Sequence, residues 1–412
     1  MKSIRAAIIG IGGFGAHHVK VMTELAGEGL LHIVAFADVR AEAYAEQLAQ
    51  LTSFGAAHYA DYEQMLREHP EIDFVVIATP IAAHKPMCVR VMQLGFHVLV
   101  EKPPAVTIQD LDEMIAAQRE TGKLCQVNFQ NTSGRAFREL LDQLAAGAVG
   151  RVTHVTGVGM WKRMRSYYER TRWAGKLMCD GQYVLDGTFN NPLAHLLNNC
   201  LITAGSGDAR SAAPDWVQAE LYHVNEIEGD DVSAIRVGTA NGVTVHFYAM
   251  LSHHEHTVPS ITVRGTEGEA HWNYQNKLTI RGRNGEESKS YGPENLVRNM
   301  YLNLMQAISG SGSPLLSSIE ACRSFVLASN GAYESSRAVR TIPMEYVVER
   351  EEEGTTVRLL PGLSERMKDA ADKGKLYAEY PFPWAVPTKP FSMAGYGRFE
   401  LPAEMATSGA NG

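Results

Sequence analysis

Short apolar runs alternate with amphipathic stretches along the first third of the chain. Residues 4–9 (IRAAII) form an apolar run stopped by Gly10, the length and ending of a buried parallel strand. Helical spacing follows over 14–26. A second apolar run at 31–37 closes on Asp38, and helical spacing returns over 41–51. DFVVIATP (73–80) reads as a strand, 84–94 as a helix ended by Gly95, and HVLVEKPP (97–104) as a strand ended by two prolines. Thr107 is a candidate N-cap for a helix reaching Glu120, with Asp110 at its third position. LCQVNF (124–129) is a further strand. Strand and helix in alternation predict an α/β domain with a doubly wound parallel sheet.

Past residue 150 the pattern changes. RVTHVTGVGM (151–160) alternates like a strand with one exposed face, and β-type runs follow at 216–226, 231–239, 243–251, 259–264 and 269–274. Asn241-Gly242 sits between two of them as a hairpin turn. One helix, 191–203, interrupts this region, and helical spacing resumes over 294–309, 317–337 and 363–374. Strands joined by short turns predict a second, mostly antiparallel open sheet. The expected division is a dinucleotide-binding domain at 1–130, a substrate and oligomerisation domain at 131–343, and an extension at 344–412. The extension carries YPFPWAVPTKPF, whose prolines bar regular structure, and reads as an arm that docks on the body or on a neighbouring subunit.

Composition narrows the class. Apolar residues at 45% and charged residues at 20% exclude wholesale disorder. The balance of 38 basic and 46 acidic residues, −8, gives no net attraction to nucleic acid or to an anionic membrane. Five dispersed cysteines without a C-x-x-C argue against a disulfide framework and a structural zinc. The N-terminal apolar run is broken by glycines and charges before a signal sequence forms, and no window approaches a membrane span. A soluble, cytoplasmic protein is the expectation.

Gly10-Ile-Gly12-Gly13-Phe14-Gly15 matches G-x-G-x-x-G directly after a predicted strand and at the start of a predicted helix. The first glycine permits the tight turn, the second a close approach of backbone to a pyrophosphate, and the third helix–strand packing. Asp38 ends the second strand, where an acid bonds ribose hydroxyls and repels a 2′-phosphate. NAD is therefore expected over NADP, although Arg40 could neutralise a 2′-phosphate. Glu101-Lys102-Pro103 falls at the carboxyl end of a strand, where open α/β sheets bind ligands. A lysine there can donate to a substrate oxygen or relay a proton.

Together GIGGFG, VVIATPIAAH (75–84), EKP (101–103) and AFRELLDQLAAGAVGRVTHV (136–155) resemble the Gfo/Idh/MocA oxidoreductases over residues 1–340. The resemblance implies a Rossmann domain with an open-sheet α/β domain, and NAD(P)-linked chemistry on sugars and cyclitols. It maps the family's catalytic lysine onto Lys102, and places Thr79, Pro80, His84 and Glu101 with the cofactor. The family pattern of Asp with His four residues later is only half met. Asp186 is present, position 190 is Asn190, and the nearest histidine is His195. On a helix from 191, Asn191 and His195 would share one face. His195 is then either a general base or a core histidine, and Asp186 either orients the base, binds substrate or caps the helix. Asn190, Asn191, His254 and Trp173 are expected to contact substrate. Ser252-His253-His254-Glu255-His256 would set His254 and His256 on one strand face, and no metal is assigned to it. The expected function is an NAD-dependent oxidoreductase on a carbohydrate-like secondary alcohol or ketone, assembled as a homodimer or homotetramer through the sheet and the arm. The alternatives are an NAD-dependent glycoside-cleaving enzyme and a non-catalytic NAD-binding sensor.

Overall fold

The structure, a computed structural model, describes residues 4–207, 212–283 and 285–406. It divides into two compact units: unit 1 takes in 1–105, 110–133 and 295–320, and unit 2 takes in 106–109, 134–294 and 321–412. This differs from the expected boundaries at two places. Residues 295–320 return to unit 1, and 344–412 belong with unit 2 rather than standing apart.

Unit 1 is built on six parallel strands: β1 (Ile4–Ile9), β2 (Leu31–Ala37), β3 (Ala57–Tyr59), β4 (Phe74–Ile77), β5 (His97–Val100) and β6 (Cys125–Val127). Their order is β3-β2-β1-β4-β5-β6, so the direction of winding reverses between β1 and β4. In such sheets the crevice outside the carboxyl ends of the strands at that switch point receives the ligand. The strands are apolar on both faces because helices cover both, and Ala6, Ile8, Val75, Val76 and Leu99 are fully buried. β3 and the helix Tyr62–Glu68 were not legible, being short and half exposed. Helix Leu296–Ile308 buries Val297, Tyr301 and Leu304 in the same core as Ile8, Val19, Phe36 and Phe74. That burial is why residues so late in the chain belong to unit 1.

Unit 2 carries β7 (Val152–Met160), a two-stranded ribbon of β8 (Met178–Cys179) and β9 (Gln182–Tyr183), then β10 (Pro214–His223), β11 (Val232–Thr239), β12 (Thr244–Met250), β13 (Ser260–Gly265), β14 (Glu269–Asn273), β15 (Lys277–Gly282), β16 (Gly285–Ser290) and β17 (Val339–Thr341). A hairpin of β18 (Val348–Glu352) and β19 (Thr355–Leu359) and a short β20 (Phe391–Ser392) follow. The large sheet runs β16-β15-β14-β13-β7-β12-β11-β10-β17, with β20 also paired to β10. It is mostly antiparallel; β12 with β7 and β10 with β17 are parallel.

One face of this sheet packs helices Ala194–Ala204 and Arg323–Ser336. Gly157 and Gly159 of β7 let the first of these approach closely: a Cβ on Gly159 would lie 2.8 Å from Leu193 Cδ2. On the other face the 344–412 segment lies against its own sheet. Leu363, Met367, Ala370 and Tyr377 share a core with Tyr222, Ala234, Tyr248 and Met250. Tyr248 donates its hydroxyl to the carbonyls of Ala370 (3.0 Å) and Lys375 (2.8 Å). Of the two dockings expected for the arm, this is the one on the body. Among the described residues no helix is long and apolar enough to cross a membrane.

Candidate active site

In unit 1 the glycine loop joins β1 to helix Gly15–Gly27 beside the switch point. Gly10 sits at φ +88°, and a Cβ there would lie 2.7 Å from the Ala78 carbonyl oxygen after β4. A Cβ on Gly15 would strike the Gly10 carbonyl, and one on Gly12 the Tyr44 ring. Asp38 is tied to the loop. One carboxylate oxygen accepts from Ile11 N–H (2.9 Å) and the other from Arg40 N–H (2.8 Å). The Arg40 guanidinium is turned to the Tyr44 hydroxyl at 3.3 Å. A loop that excludes side chains, a helix N-terminus and an anchored acid at the end of β2 fit a dinucleotide. Phe14 and Gly13 complete the loop; Phe14 is 48% exposed.

Glu101 and Lys102 follow β5 directly. Glu101 is buried, and its carboxylate accepts from Asn128 Nδ2 (2.6 Å), His18 Nε2 (2.7 Å) and the Lys102 backbone N–H (3.1 Å). His18 Nδ1 lies 2.8 Å from the Tyr301 hydroxyl. Burial alone would raise the Glu101 carboxyl. The bond and charge of His18, with Asn128 and the Lys102 charge, outweigh it and hold the group at about 2. Glu101 therefore stays ionised beside Lys102, which is half-buried. His84 uses both ring nitrogens within unit 1, on the carbonyls of Thr79 (2.9 Å) and Pro103 (2.9 Å). It braces the Thr79-Pro80 turn against the Glu101-Lys102-Pro103 turn, which is a different task from touching the cofactor with its ring. Burial lowers its pKa.

In unit 2 the expected helix start at 191 is not realised. The helix begins at Ala194, three residues later, because Asn191, Pro192 and Leu193 lie in turns. Asn191 and His195 are thus not paired along one helical face; His195 is the helix's second residue. Asn191 instead donates its amide to Asp186 (2.8 Å), whose second oxygen accepts from Gly175 N–H at 2.6 Å. Asn190 is buried and points inward: its amide donates to the Leu185 carbonyl (3.0 Å) and its oxygen accepts from Ser329 (2.7 Å). Below this turn Thr188 donates its backbone N–H to Asp230 (3.1 Å), and its hydroxyl bonds both Asp230 and Ser233. Burial, with Asp231 adding, pushes Asp230 up to about 7.

The segment 161–173 forms a polar and aromatic wall. The Arg170 guanidinium lies 3.7 Å from the Tyr167 ring centre and 5.1 Å from that of Trp173. Burial raises the Tyr167 hydroxyl, and the Asp186 charge adds to it. Alongside, a cavity of about 660 Å³ is lined by Tyr168, Arg172, Gly175, Glu228 and Arg358 among others. His254 is not on a strand. β12 ends at Met250, and His254 stands exposed in the following loop, 3.6 Å from Glu255. His253, His254 and Glu255 place ligand atoms within 4.8 Å of one another, but on consecutive residues, two of them exposed. His18, Asn128, Tyr301, Asp230 and Tyr167 were not singled out for these contacts in the sequence. Only His18, one turn into the helix behind the glycine loop, carried a local signal.

A sheet of order β3-β2-β1-β4-β5-β6 with a side-chain-free loop and an anchored acid at its switch point defines a dinucleotide-binding Rossmann protein. The chain matches the description "Oxidoreductase family, NAD-binding Rossmann fold" over residues 4–129 and "GFO/IDH/MocA C-terminal domain" over 137–271. It belongs to the Gfo/Idh/MocA oxidoreductase family, and unit 1 holds the family's NAD-binding domain. Among curated relatives, it is 28% identical over 155 residues to scyllo-inositol 2-dehydrogenase (NAD(+)) of Bacillus subtilis, covering 37% of this chain and 44% of that one. It is 29% identical over 160 residues to a glycosyl hydrolase family 109 protein of Shewanella pealeana, covering 37% and 34%. The matches thus span less than half the length of these two relatives. Among solved structures, the WlbA dehydrogenase of Bordetella pertussis in complex with NADH and UDP-GlcNAcA has the same fold, with a TM-score of 0.67 at 23% identity. That alignment covers 82% of this chain and 97% of the other.

Proposed function

We propose that the protein is an NAD-dependent oxidoreductase that interconverts a secondary alcohol and a ketone on a sugar, sugar derivative or cyclitol. The observation that carries this reading is Lys102, directly after β5 of an NAD-binding sheet and beside the ionised Glu101. Bound NAD supplies the hydride chemistry, and Gly10 to Gly15, Asp38 and the Thr79-Pro80 turn are the residues that would hold it. Lys102 donates from Nζ to the reacting oxygen and so stabilises negative charge developing there. The fixed charge of Glu101 favours the ammonium form of that lysine. The alcohol proton goes to His195 or passes through Lys102, with Asp186 and Asn191 orienting the substrate. Proton transfer by a positioned group contributes about 10²- to 10⁴-fold. Asp38, with both oxygens already ordered, supports NAD over NADP.

A second reading is glycoside cleavage, favoured by the match to a glycosyl hydrolase family 109 protein over a similar share of the chain. A panel of sugars and cyclitols with NAD, followed at the nicotinamide absorbance, tests the first reading. Turnover of a free polyol is expected. Aglycone release over many cycles without added NAD, and no absorbance change with any polyol, would replace it with the second.

A further inference from the structure

The basic residues of the 161–173 wall are not treated alike. Lys162 is paired with Glu352, Arg165 with Glu169 (2.7 Å) and Arg172 with Asp180 (2.9 Å). Arg163 and Arg170 have no carboxylate within ion-pair distance among the described residues. Arg163 donates from Nη1 to the Lys162 carbonyl (3.0 Å), while its Nε is buried with no acceptor. Arg170 donates only to the Tyr167 carbonyl. Both guanidiniums are packed on one ring: Arg163 at 4.7 Å and Arg170 at 3.7 Å from the Tyr167 centre, with Trp161 and Trp173 outside them at 5.0 and 5.1 Å.

This arrangement has a cost that the chain itself does not offset. Two like charges share one aromatic ring, one of them with a buried donor unmatched, in a protein whose formal charge is −8. Arginines that serve only the fold are normally paired or solvated, as Arg165 and Arg172 are here. Stacking on aromatic faces fixes the guanidinium planes, so less freedom is lost when their donors meet a ligand. Asp186 belongs to the same surroundings, since its charge acts on Tyr167. Its own carboxylate is held by Gly175 and Asn191.

We propose that Arg163 and Arg170 form a subsite for an oxyanion carried by the substrate, a carboxylate or a phosphate, so that the substrate is an acidic sugar rather than a neutral one. This deepens the reading of a sugar oxidoreductase and rests on it for the word sugar. A planar fork of donors suits both groups, and the two differ in charge and in the number of acceptor oxygens.

Calorimetric titration of the full chain saturated with NADH separates the possibilities without requiring turnover. The probes are D-glucuronate, D-glucose 6-phosphate and D-glucose. One of the two anionic sugars is expected to bind at least tenfold more tightly than glucose. That advantage should fall at least tenfold in Arg163→Gln and in Arg170→Gln, and shrink as NaCl is raised. Whichever anionic sugar responds identifies carboxylate or phosphate. Arg170→Lys, which keeps charge without the fork, should recover part of the loss. Anionic sugars binding no better than glucose, or binding equally to the variants, would overturn the proposal. If Arg163→Gln fails to fold, exposed Arg170 decides the outcome. Absence of turnover with every sugar would count against the oxidoreductase reading and leave the titration to judge the subsite.

Discussion

Replacing Glu101 with Gln keeps the size of the side chain and removes the charge on which His18, Asn128 and Lys102 converge. A carboxyl held at about 2, against an ordinary value near ~4.3, corresponds to roughly 3 kcal/mol of stabilisation, since each tenfold in proton affinity is about 1.4 kcal/mol. The folded value lies below the unfolded one, so this stabilisation is complete above pH ~4.3 and lost as pH falls toward 2. At pH 3 about half of it remains. His18, Asn128, Lys102 and, at longer range, His17 and His84 are the groups that face the carboxylate. The amide of the variant also turns an N–H toward donors that expect an acceptor, a further cost of about 1 kcal/mol. Denaturant unfolding at pH 7 is expected to show Glu101→Gln less stable by roughly 3 kcal/mol, and the gap is expected to narrow as pH is lowered. A difference under ~1 kcal/mol at pH 7, or one that widens in acid, would refute the claim that an ionised Glu101 anchors this turn.

Asp38→Asn should weaken NADH binding by about tenfold or more, the worth of bonds to a charged group, and erase preference over NADPH in a fluorescence titration; an unchanged preference would deny Asp38 its role. Gly10→Ala puts a Cβ against the Ala78 carbonyl at φ +88° and should lower stability by about 1–3 kcal/mol, read by thermal unfolding. Glu220 is pushed up to about 7 by burial against the 377–379 turn, despite bonds from the Ala378 N–H and the Tyr222 hydroxyl. Its folded value exceeds the unfolded one, so stability is lost as pH rises from ~4.3 through 7. Glu220→Gln should therefore raise the Tm more at pH 8 than at pH 5, and equal effects at both would contradict the burial argument.

Local motifs were legible because their chemistry is consecutive. The run at 4–9, the glycine loop, Asp38 and Lys102 each signal through neighbours in sequence, and the sheet order places them at one switch point. What surrounds Lys102 was not legible. Tyr301 reaches His18 across 283 residues, and nothing in the spacing of 294–309 says which unit that helix buries into. Near Asp186 the local reading failed for a different reason. Pro192 is compatible with a first helical turn, but the 188–193 turns are held by Asp230, far along the chain, and they delay the helix to Ala194. The arm reads as irregular from its prolines, yet its side chains fill the face of the sheet that alternation alone left open.

The central claim is that Lys102 acts on the reacting oxygen of a sugar-like alcohol while NAD is held by the rest of unit 1. Wild type and Lys102→Ala should be compared in two assays: NADH binding by fluorescence, and hydride transfer by nicotinamide absorbance with a polyol found active in the panel. The account predicts NADH affinity within about twofold of wild type and turnover reduced at least ~100-fold. Undiminished turnover in Lys102→Ala would contradict it.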